Sequence, residues 1–580
     1  MDASHILALP ADIQERIMSF LDAAGILACI EASRQLAELI DSTVSLQYQL
    51  ELSLAGMVDG PPGGASVRAR LEALRACRDA QCCGEHPLYE IVDRGGRSWC
   101  FWFLRSAETE IVYIDESHPD RLLTVYRPRS EYCGLAETRE TFGGMRALLG
   151  AHPGLHMSHV YVDYQQDLMV YSYRTIHTDP EVSRAHCHFA SLSDGFNPHP
   201  LASRRELTCD HVIPLEESTH ISLRVAGDLA LWTTSSIAFL SVIVYNWKTG
   251  VIVWRMDEDS GLEGNHYNVD VRLISSTALV LIDTAEFFLC LYRFDPTATS
   301  DSSTTSADEY VCMLKLPERT STQLACSVEH CGAYPSESRS IIPAMASFLP
   351  DLSLPVLVLK FIWQPQFMVL LEDTPAPVER GELYRLFVPL ETLHRFLNGS
   401  EDTRSGFMAD SSDGILYKFD TETTDDGCVV VPWEDWGPRG TRMVRMKPHS
   451  RFFSGLGPII AMYDGTTVAD RRHIGVYEVH PLAATTIPPL GQPCAPLSTA
   501  VAPPSSLTPA EGNSASGPVT IDDPLGESYI ANSPAWKYPI RTTYPVRKTT
   551  RYVPKLSSDG LHFCDIRVAA DGLVTVMRRY

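Results

Sequence analysis

The stretch "SVIVYNWKTGVIVWRM", residues 241 to 256, decides the fold. Val242 to Tyr245 form a β-branched and aromatic run, Lys248-Thr249-Gly250 reads as a turn, and Val251 to Trp254 form a second run. An isolated two-stranded hairpin is at best marginal in water. The residues on either side must therefore supply sheets for this one to pack on.

They do so repeatedly. Short β-runs bounded by turns return as "LTVYRP" (123–128), "LMVYSY" (168–173), "FFLCLYRFD" (287–295) and "IGVYEV" (474–479). One small pattern recurs: Leu or Val, then Tyr, then any residue, then an apolar residue. It occurs at Tyr89, Tyr171, Tyr245, Tyr292, Tyr384, Tyr417 and Tyr477. Alternation of this kind predicts half-buried strands with the Tyr facing away from the aliphatic residue before it. Returns across most of the chain point to a repetitive all-β architecture, and a β-propeller is the common solution at this size. The 241–256 unit has the form of the outer hairpin of a WD-like blade, although the Gly-His and Trp-Asp pairs of the full repeat signature are absent. The spacing of the returns is unequal. We expect about seven irregular blades, with six or eight as alternatives. Helical periodicity reappears in "PLETLHRFL" (389–397), and "VPWEDWG" (431–437) reads as a strand whose Trp433 and Trp436 pack a blade.

Composition limits the function. The chain has 580 residues, enough for several domains, and is 44% hydrophobic and 21% charged, which suits globular cores. Its net charge of −24 repels phosphate backbones and anionic lipid, so neither nucleic acid nor membrane is an expected partner. "LPVLVLKFIWQPQFMVLL" (354–371) is interrupted by Lys360, Gln364, Pro365 and Gln366, which suits two buried strands about a turn rather than a span. The start, "MDASHILALP", has no basic region followed by a long apolar core, so cytoplasmic or nuclear residence is expected. Fifteen scattered cysteines read as reduced thiols. "HCH" (186–188) and the Cys326, His330 and Cys331 of "CSVEHC" lack the paired spacing of a zinc site.

Ahead of the β-rich part lies "LPADIQERIMSFLD" (9–22). Ile13, Ile17, Phe20 and Leu21 fall on one helical face, and Pro10 suits the first turn. Ile26, Leu27 and Ile30, then Leu36, Leu39 and Ile40, mark two further short helices, each too short to stand alone. After the joint "DGPPGGAS" (59–66), a fourth helix in "SVRARLEALRACRDA" (66–80) reads as a stalk capped by Ser66.

The Leu9-Pro10 start, the 13/17/20/21 stripe, the break near Asp22 and "ILACIEASRQLAELID" (26–41) resemble an F-box, the module that attaches a substrate receptor to the Skp-type adaptor of a cullin-RING ubiquitin ligase. The resemblance covers about residues 5 to 52. It implies that Leu9, Pro10, Ile13, Ile17, Phe20, Leu21, Ile26, Leu27 and Ile30 make or support the adaptor surface. Tyr48 stands nearest to where such modules carry a Trp. "VYNWKTGVIVW" and "VPWEDWGPRGTRMVRM" are similar to segments of fungal F-box proteins whose C-terminal part is a divergent propeller.

The expected organisation is multidomain. A small all-α F-box module (1–52) is followed by a linker and stalk helix (53–87), a large all-β propeller (88–482), a Pro/Ala/Ser/Thr-rich disordered insert (483–523) and C-terminal strands (524–580) that complete the propeller. A second polar loop is expected at 295–309. In the tail, Lys537, Arg541, Arg547, Lys548, Arg551 and Lys555 interleave with Trp536, Tyr538, Tyr544 and Tyr552. That pattern suits single-stranded nucleic acid or an acidic or phosphorylated peptide or, more simply, a strand pair with its charged face in water.

No Gly-x-Ser-x-Gly elbow, phosphate loop, His-Glu-x-x-His or dinucleotide fingerprint occurs. Glu434 and Asp435, adjacent on a strand, would point to opposite faces. The expectation is a non-enzymatic receptor without cofactor or metal, bound to a Skp-type adaptor and through it to a cullin-RING ligase, with a protein substrate of unknown identity. The alternative is a propeller interaction scaffold whose N-terminal helices merely cap it, with a propeller hydrolase third.

Overall fold

A computed structural model describes most of residues 6–83, 88–91, 101–151, 160–256, 269–297, 310–332, 346–363, 381–398, 429–483 and 527–579, with short strands at 407–409, 416–418, 422–423 and 520–521. Six sheets of four or more strands follow one another along the chain as the blades of a propeller: blade 1 from Phe101–Phe103 to Thr138–Phe142, blade 2 from Val160–Asp163 to Glu206–Thr208, blade 3 from His220–Ala226 to Val251–Met256, blade 4 from Val269–Ser275 to Tyr310–Lys315, blade 5 from Leu324–Cys331 to Arg442–Met446, and blade 6 from Arg451–Leu456 to Val546–Pro554. Blade 3 contains the 241–256 hairpin. Its strands are His220–Ala226, Leu229–Ser235, Leu240–Asn246 and Val251–Met256, each antiparallel to the next. The turn closes because Asn246 Oδ1 accepts from the backbone N–H of Lys248 (3.1 Å) and Thr249 (3.0 Å), while Gly250 takes a positive φ of 80°.

Both faces of this sheet are buried. Leu229, Leu231, Val242 and Val244 pack on Val271, Leu273, Leu279 and Leu281 of blade 4. Ala230, Trp232, Ile243 and Tyr245 pack on Val170, Cys187 and Phe189 of blade 2. The half-buried strands expected from the tyrosine pattern are therefore corrected: Tyr171, Tyr245, Tyr384 and Tyr477 all sit inside, because a blade is sandwiched between two others.

The count of about seven blades is likewise corrected to six. Tyr171, Tyr245, Tyr292, Tyr384 and Tyr477 lie one each in blades 2 to 6. Tyr89 belongs to a three-stranded sheet of Leu88–Ile91, Phe563–Val568 and Val574–Arg579, and Tyr417 to a two-stranded hairpin. The pattern marks a strand, not a blade: Tyr171, Tyr245, Tyr384 and Tyr477 are buried and Tyr292 is half-buried. Val546–Pro554 pairs antiparallel with Arg471–Val479 in blade 6.

The polar loop expected at 295–309, from residue 298 onward, and residues 484–519 of the expected insert lie outside the described residues, as does the second of the two strands expected at 354–371. The first is present as Val356–Trp363, in the middle of blade 5.

Among the described residues five helices precede the blades in chain order: α1 (Ala11–Met18), α2 (Ala23–Ala32), α3 (Arg34–Ser42), α4 (Val44–Leu54) and α5 (Val67–Cys83). Also described, among the strands, are α6 (Met145–Ala151), α7 (Leu390–Asn398) within the "PLETLHRFL" segment, and α8 (Trp433–Gly440). The last corrects the strand reading of "VPWEDWG". Trp433, Trp436, Gly437 and Gly440 are all buried, a helical spacing, and Glu434 and Asp435 complement the dipole in the first turn. The two Trp rings meet edge to face at 5.3 Å, and Trp436 Nε1 donates to the Lys315 carbonyl (2.8 Å).

α4 joins the two halves. Its sequence alternates strictly, with Val44, Leu46, Tyr48, Leu50, Leu52 and Leu54 apolar. On a helix, alternate residues lie about 200° apart, so the pattern forms two opposed stripes. Leu46, Leu50 and Leu54 face Met18, Ala23, Ile26, Leu36 and Ile40 in a core belonging to the helices. Tyr48, Leu52 and Ala55 join Leu71, Leu74 and Cys77 of α5 on Phe348 and on Ile459, Ala461, Ile474 and Val476 of the propeller. Residue 52 lies within this helix.

Candidate functional site

α1 is where the molecule leaves apolar side chains uncovered. It begins after Pro10, whose carbonyl accepts from the N–H of Ile13 and Gln14 (3.0 Å each). Gln14 Nε2 folds back on the Leu9 carbonyl (2.8 Å). Of the α1 residues themselves, Met18 is the one fully buried, turned into the helical core. Ser45 Oγ donates to Glu15 Oε1 (2.9 Å) and Gln49 Nε2 to the Leu21 carbonyl (2.7 Å), which fastens α1 and its exit to α4. Asp22 caps α2 by accepting from Gly25 N (2.8 Å).

With Met18 inward, the opposite face looks out. Leu9, Ile13 and Ile17 are exposed by 37%, 41% and 38%, and Phe20 by 81%. Four of the nine large hydrophobics exposed among the described residues thus fall within residues 9 to 20. Pro10 is exposed beside them. Apolar side chains exposed close together in sequence on an otherwise acidic chain are costly in water, and covering them is favourable by about 25 cal/mol per Å².

The nine residues named from the sequence divide into two groups. Leu9, Pro10, Ile13, Ile17 and Phe20 share the outward face; Ile26 is fully buried, and Leu21, Leu27 and Ile30 are half-buried against the same core. Ile26 can support a partner surface but cannot touch one. Sequence reading did not single out Met18 or α4's second stripe. The signal for α4 was its unbroken alternation on a helix, which requires apolar neighbours on two sides.

α4 is held to the propeller by polar contacts too. The Tyr48 hydroxyl lies 2.8 Å from Asp59 Oδ1 and 2.9 Å from the Ser347 carbonyl, and Arg70 Nη1 reaches the same Asp59 oxygen at 2.6 Å. Burial, then Asp59, pushes the Tyr48 hydroxyl pKa upward. Beyond α4, Gly56 takes a φ of +61°, and a methyl there would come within 2.8 Å of Pro458. His480 lies beside it, and its burial lowers the imidazole to about 4.

Other candidate chemistry is absorbed into structure. His186 and His188 both pair with Glu206 on blade 2 while Cys187 points into the opposite core. Cys326, His330 and Cys331 lie on one strand of blade 5. Glu434 and Asp435 are exposed in the first turn of α8. Among the described residues no group of three or more His, Cys, Asp or Glu could hold a metal ion. No described helix is long and apolar enough to cross a membrane. In the basic tail, Lys537 pairs with Glu318 (2.6 Å), Arg541 with Glu527 (2.5 Å) and Arg547 with Glu478, while Trp536 and Tyr544 are buried.

No family model matches the chain, and no curated protein matches it. Among solved structures it is similar to the structure of oligopeptidase B from Leishmania major, at 11% identity and a TM-score of 0.28, over 71% of this chain and 50% of that one. The chain spans about half the length of that protein, and a likeness of this size carries no inference about activity.

Proposed function

We propose that this protein is the substrate-recognition subunit of a Skp-cullin-F-box type ubiquitin ligase, with the helical module holding the adaptor and the propeller holding a protein substrate. The observation that carries the reading is the exposure of Leu9, Pro10, Ile13, Ile17 and Phe20, on and just beside a helix whose core residue is Met18. A helix that only capped the propeller would turn that stripe inward. A receptor of this class does no covalent chemistry; it raises the local concentration of substrate lysines at the ligase.

A second reading has its own support. α4 and α5 share a core with blade 6, so the helices also act as a cap, and the coarser description of an interaction scaffold holds under either reading. The experiment is co-expression with a Skp-type adaptor followed by copurification of wild type, Ile17→Asp and Phe20→Asp. Wild type should retain the adaptor and both variants should lose it, with unchanged circular dichroism. Wild type that retains none would leave the scaffold. Surface substitutions are the cleaner instrument, because removing residues 1–52 would also strip Tyr48 and Leu52 from the propeller's own core.

A further inference from the structure

We infer that Ser19 is a phosphorylation site that switches the α1 face off, an inference that rests on the adaptor reading above. Ser19 caps the C-terminus of α1 and is exposed, between Ile17 and Phe20 of the outward face. Its hydroxyl donates to the Arg16 carbonyl (2.8 Å) and has no buried partner. Arg16, exposed three residues earlier, gives the charge pattern that a basophilic protein kinase reads, with apolar Phe20 immediately after the hydroxyl. α1 has only eight residues, and so short a helix is marginal by itself, so its last turn can open into a kinase cleft.

In the transfer, Ser19 Oγ bonds to the γ-phosphorus of a nucleoside triphosphate, the bond to the β-phosphate oxygen breaks, the diphosphate leaves, and the hydroxyl proton passes to the kinase's base. The product carries close to two negative charges where three things oppose them. The C-terminal end of a helix is the negative end of its dipole. Asp22, the cap of α2, lies three residues on. A partner seated on Ile17 and Phe20 would also have to desolvate the phosphate at its rim, which is costly without a matching cation.

The test uses the full chain. A basophilic kinase with nucleoside triphosphate should modify Ser19, located by peptide mass spectrometry, and Arg16→Ala should slow it. Phosphorylated protein and Ser19→Glu should bind adaptor on the order of a hundredfold more weakly while staying folded, with a midpoint lowered only by the small cost of a negative charge at a helix C-terminus, and Ser19→Ala should bind as wild type and keep its unfolding midpoint. Full adaptor affinity in the phosphorylated protein and in Ser19→Glu would overturn the switch. So would an unmodified Ser19 in the full chain under conditions that phosphorylate a peptide of residues 9–25. If unmodified wild type binds no adaptor, the receptor reading itself fails and the switch goes with it, an outcome separate from the other two.

Discussion

α1 and α4 belong to the same small bundle and are both rich in apolar residues, yet they use them in opposite ways. α1 turns Met18 in and leaves Ile13 and Ile17 out, with Phe20 just beyond its end; α4 turns Leu46, Leu50 and Leu54 to one core and Tyr48 and Leu52 to another. The difference lies in neighbours. α4 runs between two bodies and is apolar on two sides for that reason, whereas among the described residues α1 has a body on one side only. Its second apolar face is a cost in water for as long as it stays uncovered.

Stability measurements test this contrast most directly. Leu46→Ala, at a fully buried position of α4, should lower unfolding free energy by about 2 to 5 kcal/mol in denaturant titration, through lost transfer energy and the cavity left behind. A cost within the surface range of about 0.5 kcal/mol would mean that α4 does not pack this stripe into the helical core.

The join should also respond to acid. His480, beside Gly56, is neutral in the folded protein with its pKa lowered to about 4, by burial first and then by Arg547, against the opposing pull of Glu478 and Asp351. In the unfolded chain the imidazole titrates near 6.5. Between these values the unfolded state binds a proton that the folded state refuses. Stability is therefore complete above pH 6.5 and falls as pH drops towards 4, approaching about 1.4 kcal/mol per pH unit for one histidine. His330, lowered to about 4 by burial and Arg272, adds a second share. His480→Gln should remove one share of the slope, and an unchanged slope would place the proton elsewhere.

A smaller effect is expected from Tyr48→Phe, which keeps the ring and removes the hydroxyl near Asp59 and Ser347. The loss should be about 1 kcal/mol, read from the denaturant midpoint. Smallest of all should be Phe20→Ala, within about 0.5 kcal/mol of wild type, since an exposed ring away from a packed feature contributes little to folding. A large loss there would show that α1's outer face is already covered by another part of the chain, and would erase the contrast with α4.

Much of the architecture is legible in the residues themselves. The 241–256 hairpin, the strand-rich body and the amphipathic opening helix follow from β-branched runs, a Gly-ended turn and apolar spacing, all of which act over a few residues. "VPWEDWG" departs from its strand reading because a segment of that length fits either period. It becomes α8 once Trp433, Trp436, Gly437 and Gly440 all find the same wall. The tyrosine returns stand for strands rather than blades.

Sequence alone determined much of which residues share a face: Ile13 and Ile17 on one, with Phe20 exposed beside them and Leu21, read on the same stripe, turned to the helical core beyond the end of α1, and α4's alternating residues on two. Which faces are covered was decided only by the tertiary structure. Six blades leave the strands of Tyr171, Tyr245, Tyr384 and Tyr477 between two sheets, blade 6 supplies α4's second wall, and nothing among the described residues covers Phe20. The physical reason is range. Periodicity is set by the geometry of the backbone within one element, while burial depends on neighbours hundreds of residues away, such as Phe348 against Tyr48.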